Sequence, residues 1–385
     1  MSELKSVLTY PEDFPDELKA VCDTSLAAGG YQHMSIKAAT CRNNSRFGDL
    51  TLVGFVNSLK KADVALSSLT LTHHHITAVG LVENSSYISC LSHIDLEGND
   101  VAESTQFIES LKLESKNCPI QYLNLSSNPM GILAGMKIAD VLLKNKSLHT
   151  LYLNNCGLDL TCQIAILTSI SQNKNCKLNI LEIDRPILGN PNKREEVVDH
   201  ISRLIMLSSS SALCHLSLRH HNMQDFGCSL LADALGRYKG RITYLNLESN
   251  KIGVSGTTAL AQMLVLQEKS GAERYSCIRT LKLSYNFIGD EGAAALADAL
   301  LHNKSLTELT IKNNSIHSKG LVMIGTALES NNTLERLSLY GNDFDQDSGR
   351  LFHSLAKNRF DFIGLKIDIQ MYIVDGEYQV AEVAI

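Results

Sequence analysis

Apolar positions recur down most of the chain in one frame, L-x-x-L-x-L-x-x-N-x-I. The clearest copies read Leu91-Ile94-Leu96-Asn99-Val101, Ile120-Leu123-Leu125-Asn128-Met130 and Ile242-Leu245-Leu247-Asn250-Ile252. Three consecutive copies start at Ile278, Leu306 and Leu334, and looser ones at Leu66, Leu148, Leu178 and Leu213. The ten frames start 25, 29, 28, 30, 35, 29, 36, 28 and 28 residues apart, which sets a unit of 28 residues with two insertions. Such a period is the long form of a solenoid repeat.

The spacing has a physical reading. Side chains alternate along a strand, so the residues three and five places after each start face inward together. The asparagine eight places on marks the turn, where its amide bonds backbone groups that the turn leaves unpaired. Apolar residues then recur at helical spacing, which predicts helices over Glu291–Leu301, Gly320–Leu328, Ser348–Ala356, Ser229–Leu235 and Gly135–Leu143. Asn145, Asn173, Asn303 and Asn331 follow such helices and read as left-handed C-terminal positions. No unit can bury its apolar face alone, so stacking is required. The expected fold class is α/β: a curved solenoid or horseshoe, with parallel strands on the concave face and helices on the convex face.

The ends read as caps of one continuous domain. Residues 1–65 hold a helix near Pro11–Ala28 and one degenerate repeat around Tyr31, Met34 and Ile36; residues 66–361 hold the ten repeats. In 362–385, Phe362, Leu365 and Ile367 begin a last strand, and Asp375-Gly376 between two apolar runs predicts a terminal β-hairpin. The insertions read as exposed elaborations, one before a helix Glu195–Leu207 and one at Glu268–Tyr275.

Composition narrows the function classes. There are 57 Leu and 27 Asn in 385 residues, the core and turn ladders of the repeat, and no Trp. A net charge of −6 gives no basic footprint for nucleic acid. No apolar run is long enough for a membrane span, and the N-terminus has no signal core. Ten cysteines without a CxxC pair are too dilute for a disulfide scaffold, and read as reduced small hydrophobes. The sequons at Asn145 and Asn303 read as turn residues rather than glycan sites.

The repeat length and Ala/Leu-rich helices resemble the ribonuclease-inhibitor class of leucine-rich-repeat proteins, over roughly residues 30 to 367. Three irregular stretches are similar to one branch of that class: Leu181-Glu182-Ile183-Asp184-Arg185-Pro186-Ile187-Leu188, Tyr340-Gly341-Asn342-Asp343-Phe344-Asp345 and Val374 to Val383. Chains of that branch continue past the point where this one stops. The resemblance implies a non-enzymatic intracellular protein of germ, stem and ciliated cells, placed in cytoplasm, nucleus (nucleolus) or ciliary axoneme.

The residues two, four and six places after each start should stand on the concave face. Tyr fills four of these thirty positions, Tyr122, Tyr152, Tyr244 and Tyr340, where 12 in 385 would place about one. Tyr285 lies one residue beyond the set. Acids include Glu182, Asp184 and Glu248; bases are Arg219, Lys282, Lys312 and Arg336, all from the sixth frame on. These twelve residues are the candidate partner-binding set, because Tyr and Arg dominate interface hot spots and graded charge orients a partner. The expectation is an interaction scaffold, monomeric within a larger assembly, that binds protein partners on the concave face and C-terminal end. No nucleic acid, membrane, metal or cofactor is expected. His74 and His221 occupy the asparagine position, where imidazole can bond the turn backbone. No catalytic motif is present. The alternative is a GTPase-activating protein of the Ran-regulator type, for which Arg185 is the candidate; the acidic tail of such proteins is missing here. Ribonuclease inhibition, which goes with dense Cys and concave Trp, does not fit.

Overall fold

The computed structural model describes residues 8–40, 46–102, 104–189, 192–207, 212–237, 242–269, 277–360 and 364–385. The chain divides into two compact units, Met1–Ile187 and Leu188–Ile385. Phe362 and most of the expected insertion at Glu268–Tyr275 lie outside the described residues.

The first unit opens with α1 (Asp16–Ala28) and β1 (His33–Lys37), followed by α2 (Asp49–Lys61), β2 (Ser68–Thr72), α3 (Ala78–Glu83), α4 (Ser85–Ile88) and β3 (His93–Asp95). It continues through α5 (Thr105–Ser110), β4 (Tyr122–Asn124), α6 (Gly131–Leu142), β5 (Thr150–Tyr152), α7 (Leu160–Gln172) and β6 (Ile180–Glu182). Strands pair in parallel in chain order, and the register aligns Met34, Leu69, Ile94, Leu123, Leu151 and Leu181 in one row. Every member of that row is buried. At about 1.5–3 kcal/mol for each fully buried large aliphatic side chain, this row supplies much of what stacks one repeat on the next. β1, which carries Met34 and Ile36, stands ahead of the ten frames and pairs in parallel with β2.

The second unit runs α8 (Asn192–Leu207), β7 (His215–Ser217), α9 (Gln224–Arg237), β8 (Tyr244–Asn246), α10 (Val254–Lys269), β9 (Thr280–Lys282) and α11 (Gly289–His302). It ends with β10 (Glu308–Thr310), α12 (Ser318–Leu328), β11 (Arg336–Ser338), α13 (Gln346–Leu355), β12 (Lys366–Ile367), β13 (Ile369–Val374) and β14 (Glu377–Glu382). Leu216, Leu245, Leu281, Leu309, Leu337 and Ile367 form the corresponding row. β13 and β14 make the expected antiparallel hairpin about Asp375-Gly376. Parallel strands joined through helices, unit after unit, are the leucine-rich-repeat solenoid arrangement.

The strand-end asparagines act as expected. Asn286 is buried; its Nδ2 donates to the carbonyls of Leu247 (3.0 Å) and Leu283 (2.8 Å), and its Oδ1 accepts from the N–H groups of Asn250 and Ile252. Asn314 and Asn342 repeat the pattern one and two units on. His74 substitutes for the amide with both ring nitrogens, at 3.3 Å from the Phe47 N–H and 3.2 Å from the Ile36 carbonyl.

The post-helix asparagines correct the sequence reading. Asn173 and Asn303 have φ of −78° and −81°, and neither Asn145 nor Asn331 has a positive φ. They are not left-handed caps. Each is buried and forms a second ladder: Asn303 Nδ2 donates to the Leu264 carbonyl of the preceding repeat, while Oδ1 accepts from Ser305 and Leu306. Asn331 does the same with Leu300, Thr333 and Leu334. The side chain, not the backbone, resolves the helix end.

The left-handed residues lie elsewhere. The position seven places after the frame start has positive φ in all ten frames, from 50° at Asn313 to 78° at Gly341. Only Gly98 and Gly341 among the ten are glycine. The conformation lets the N–H reach the next strand's end, as in Tyr285 N to Lys312 O (2.8 Å) and Ser127 N to Asn154 O (2.7 Å).

Candidate functional site

On the open strand face of the first unit, pairing sets aromatic side chains side by side. His93 lies opposite Tyr122 in the β3–β4 register, and their rings stack at 3.8 Å with 12° between planes. Tyr152, from the next strand, meets Tyr122 edge-on at 5.6 Å. Carboxylates flank these rings. Asp95 and Glu97 are half-buried; burial raises the Asp95 pKa, and Glu97 adds to the rise. Burial also raises the Tyr122 hydroxyl, with Asp95 reinforcing it, so both groups keep their protons longer than in water. Glu182 accepts from Asn154 Nδ2 at 2.7 Å, and the Asp184 side chain is buried, with only a small edge on the face.

The second unit repeats the aromatic motif but differs in charge. His215 stacks on Tyr244 at 3.8 Å, and Lys282 Nζ sits 5.5 Å from the Tyr244 ring centroid, in cation–π range. Each basic candidate has an acidic neighbour. Arg219 pairs with Glu248 (3.0 Å), Lys282 with Glu308 (3.7 Å), Arg336 with Glu308 (2.8 Å), and Lys312 with Asp368 (2.9 Å) and Glu382 (2.8 Å). The graded charge expected from sequence is thus neutralised locally here, whereas the first unit's face keeps its acidic character.

Tyr285 is not on the strand face. It occupies the left-handed turn position and is 56% exposed, two residues before the 61% exposed Phe287. Arg185 holds the same turn position in its own repeat, so its geometry belongs to the fold rather than to that residue. Tyr340 is half-buried, its N–H directed at Asp368 Oδ1 (3.3 Å).

Sequence reasoning missed His93, His215 and Asp368, and placed Glu308 on the strand face without counting it among the candidates. The two histidines were visible in principle, since each occupies the same frame position as the Tyr one repeat on. Asp368 and Glu382 follow the last frame, and only the fold returns them to the face. Among the described residues, no group of three His, Cys, Asp or Glu is arranged to hold a metal, and no helix is long and apolar enough to cross a membrane. The described cysteines are free thiols.

Comparison with known proteins agrees with the repeat reading. The family described as Leucine Rich repeat matches residues 242–261, 276–297 and 302–325. Leucine-rich repeat-containing protein 34 of Mus musculus is 32% identical over 235 residues, 60% of this chain and 52% of that protein. The chain therefore spans about half the length of that relative. NACHT, LRR and PYD domains-containing protein 13 of Homo sapiens is 24% identical over 268 residues, 63% of this chain and 24% of that one. Among solved structures, a Listeria monocytogenes internalin covers 83% of this chain and 94% of its own at 14% identity, with a TM-score of 0.37.

Proposed function

We propose that this chain, a leucine-rich-repeat protein, is a non-enzymatic scaffold that holds protein partners on its strand face and at its C-terminal end. The observation that supports this reading most is the aromatic set standing on the strand face of both units, His93–Tyr122–Tyr152 and His215–Tyr244. Paired rings are pre-ordered, so a partner that covers them gains apolar contact at small entropic cost. The acidic flank of Asp95, Glu97 and Glu182 suits a segment bearing Lys or Arg on the first unit. On the second unit the cations already have carboxylates, which disfavours a phosphate backbone as ligand. The partner is accordingly a protein, and the chain acts as a monomer within a larger assembly in the cytoplasm, the nucleus and nucleolus, or the axoneme. No observation favours the GTPase-activating alternative.

The test is proximity labelling in the cells that express the protein, comparing wild type with the Tyr152→Ala, Tyr244→Ala, Tyr340→Ala triple variant. The expected outcome is loss of a defined set of labelled partners with no change in thermal unfolding. An unchanged set would remove the strand face as the binding surface.

A further inference from the structure

We propose that the outer edge of β13 is a docking site for an extended, strand-forming peptide carrying acidic side chains. Asp375 and Gly376 have φ of 52° and 85°, the double left-handed turn that closes a two-residue hairpin. The Val383 N–H donates to the Asp368 carbonyl at 2.9 Å, which makes these two a hydrogen-bonded pair. Antiparallel pairs alternate, so Gln370, Tyr372 and Val374 bond β14, while the backbone groups of Met371 and Ile373 point away from it.

The two outer edges of this hairpin are treated differently. On β14 the outward groups of Tyr378 are occupied: its N–H donates to Gln346 Oε1 (2.8 Å), and its carbonyl accepts from Gln346 Nε2 (3.3 Å). Glu377 and Glu382 add charge to that strand. β13 has no such protection. Its six residues include no charge, proline or glycine, and Tyr372, Ile373 and Val374 are 44%, 53% and 47% exposed. Among the described residues nothing bonds the Met371 or Ile373 backbone outside the hairpin. Natural edge strands are ordinarily blunted by charge, proline, bulges or covering elements, and an open uncharged edge is a template for strand addition.

The occupant's chemistry follows from the groove beside this edge. A groove of about 410 Å³ runs between the end of α13 and β13, lined by Phe352, His353, Ala356, Lys357, Ile367 and Met371 among others. No lining residue is acidic, and Lys357 is an exposed cation on its wall. An added strand would place apolar side chains in the groove and a carboxylate near Lys357. A second copy pairing through its own β13 supplies no carboxylate, because Ile369–Val374 has none. This inference deepens the scaffold reading by describing its C-terminal surface, and it is separable from the strand face.

The experiment uses the full chain with a fluorescent acetyl-Val-Glu-Val-Glu-Val-Glu peptide and its Lys-for-Glu counterpart, read by anisotropy and residue-resolved amide exchange. The acidic peptide should slow exchange at Met371 and Ile373 and bind about tenfold more tightly than the basic one. Ile373→Pro removes an outward N–H without touching the hairpin's own ladder, and should weaken binding about tenfold. Lys357→Glu, outside the hairpin, should reverse the preference between peptides, and it decides the matter if the proline variant opens the hairpin. The Tyr152, Tyr244 and Tyr340 triple variant should bind the acidic peptide as wild type does, which separates this site from the strand face. Unslowed exchange at both amides, equal affinity for both peptides, or an unchanged preference in Lys357→Glu overturns the proposal. So does protection of these amides by self-association in the absence of peptide.

Discussion

The ammonium group of Lys312 stands 2.9 Å from the carboxylate of Asp368, a side chain only 1% exposed. That carboxylate also accepts from the Leu339 N–H (2.6 Å), and Lys312 reaches on to Glu382 at 2.8 Å. A lysine on the strand face of the ninth repeat therefore ties that repeat, across the tenth, to the terminal hairpin. Removing the cation leaves a buried charge uncompensated, a loss of about 3 kcal/mol. Lys312→Met should lower stability by about that amount in urea unfolding, and Asp368→Asn in the same background should recover part of it. Additive losses would show that the pair is not coupled.

Tyr285 lies at φ +61° with its ring 56% exposed, in a conformation that disfavours a bulky side chain. Tyr285→Asn, matching Asn155 and Asn313 at the same frame position, should stabilise the fold by about 0.5–1 kcal/mol. The chemical-denaturation midpoint measures this directly. A destabilised variant would mean that the ring's packing outweighs backbone strain.

Asn286 closes two donor and two acceptor contacts that join two successive repeats while almost wholly buried. Asn286→Ala strands several backbone groups and should cost about 3 kcal/mol or more. Asn303→Ala should cost a similar amount, since its ladder joins two repeats in the same way. Thermal unfolding of both variants tests whether the second ladder equals the first.

His74 and His221 are buried, and burial holds each pKa down to about 4 from the ordinary 6.5. The unfolded chain therefore binds more protons between pH 4 and 6.5. Stability should be fully present above about pH 6.5, fall as pH drops toward 4, and change no further from these groups below that. Each histidine contributes up to about 3 kcal/mol over this window. His74→Asn restores the residue type used at most other turns, and should flatten the acid limb of a stability–pH curve. A limb of unchanged slope would assign it to other groups.

The repeat by itself determined the local architecture. Leu281, Leu309 and Leu337 recur 28 residues apart with period-two neighbours, and nothing but strands in one register buries them all. The strand-end asparagines were equally legible, because a buried amide at a fixed offset has a single use. Tertiary structure alone decided the remainder, since hydrogen bonds between repeats join residues that no local pattern relates. It turned Asn145, Asn173, Asn303 and Asn331 from backbone caps into a second side-chain ladder. It gave the left-handed turn to Tyr285 and Arg185, positions without a glycine to announce them. It brought Asp368 and Glu382 back onto Lys312, cancelling a charge that looked available from sequence, and left the β13 edge open while Gln346 closed β14. Periodicity records what every repeat must bury; charge pairing and edge protection depend on which residues the finished stack makes neighbours.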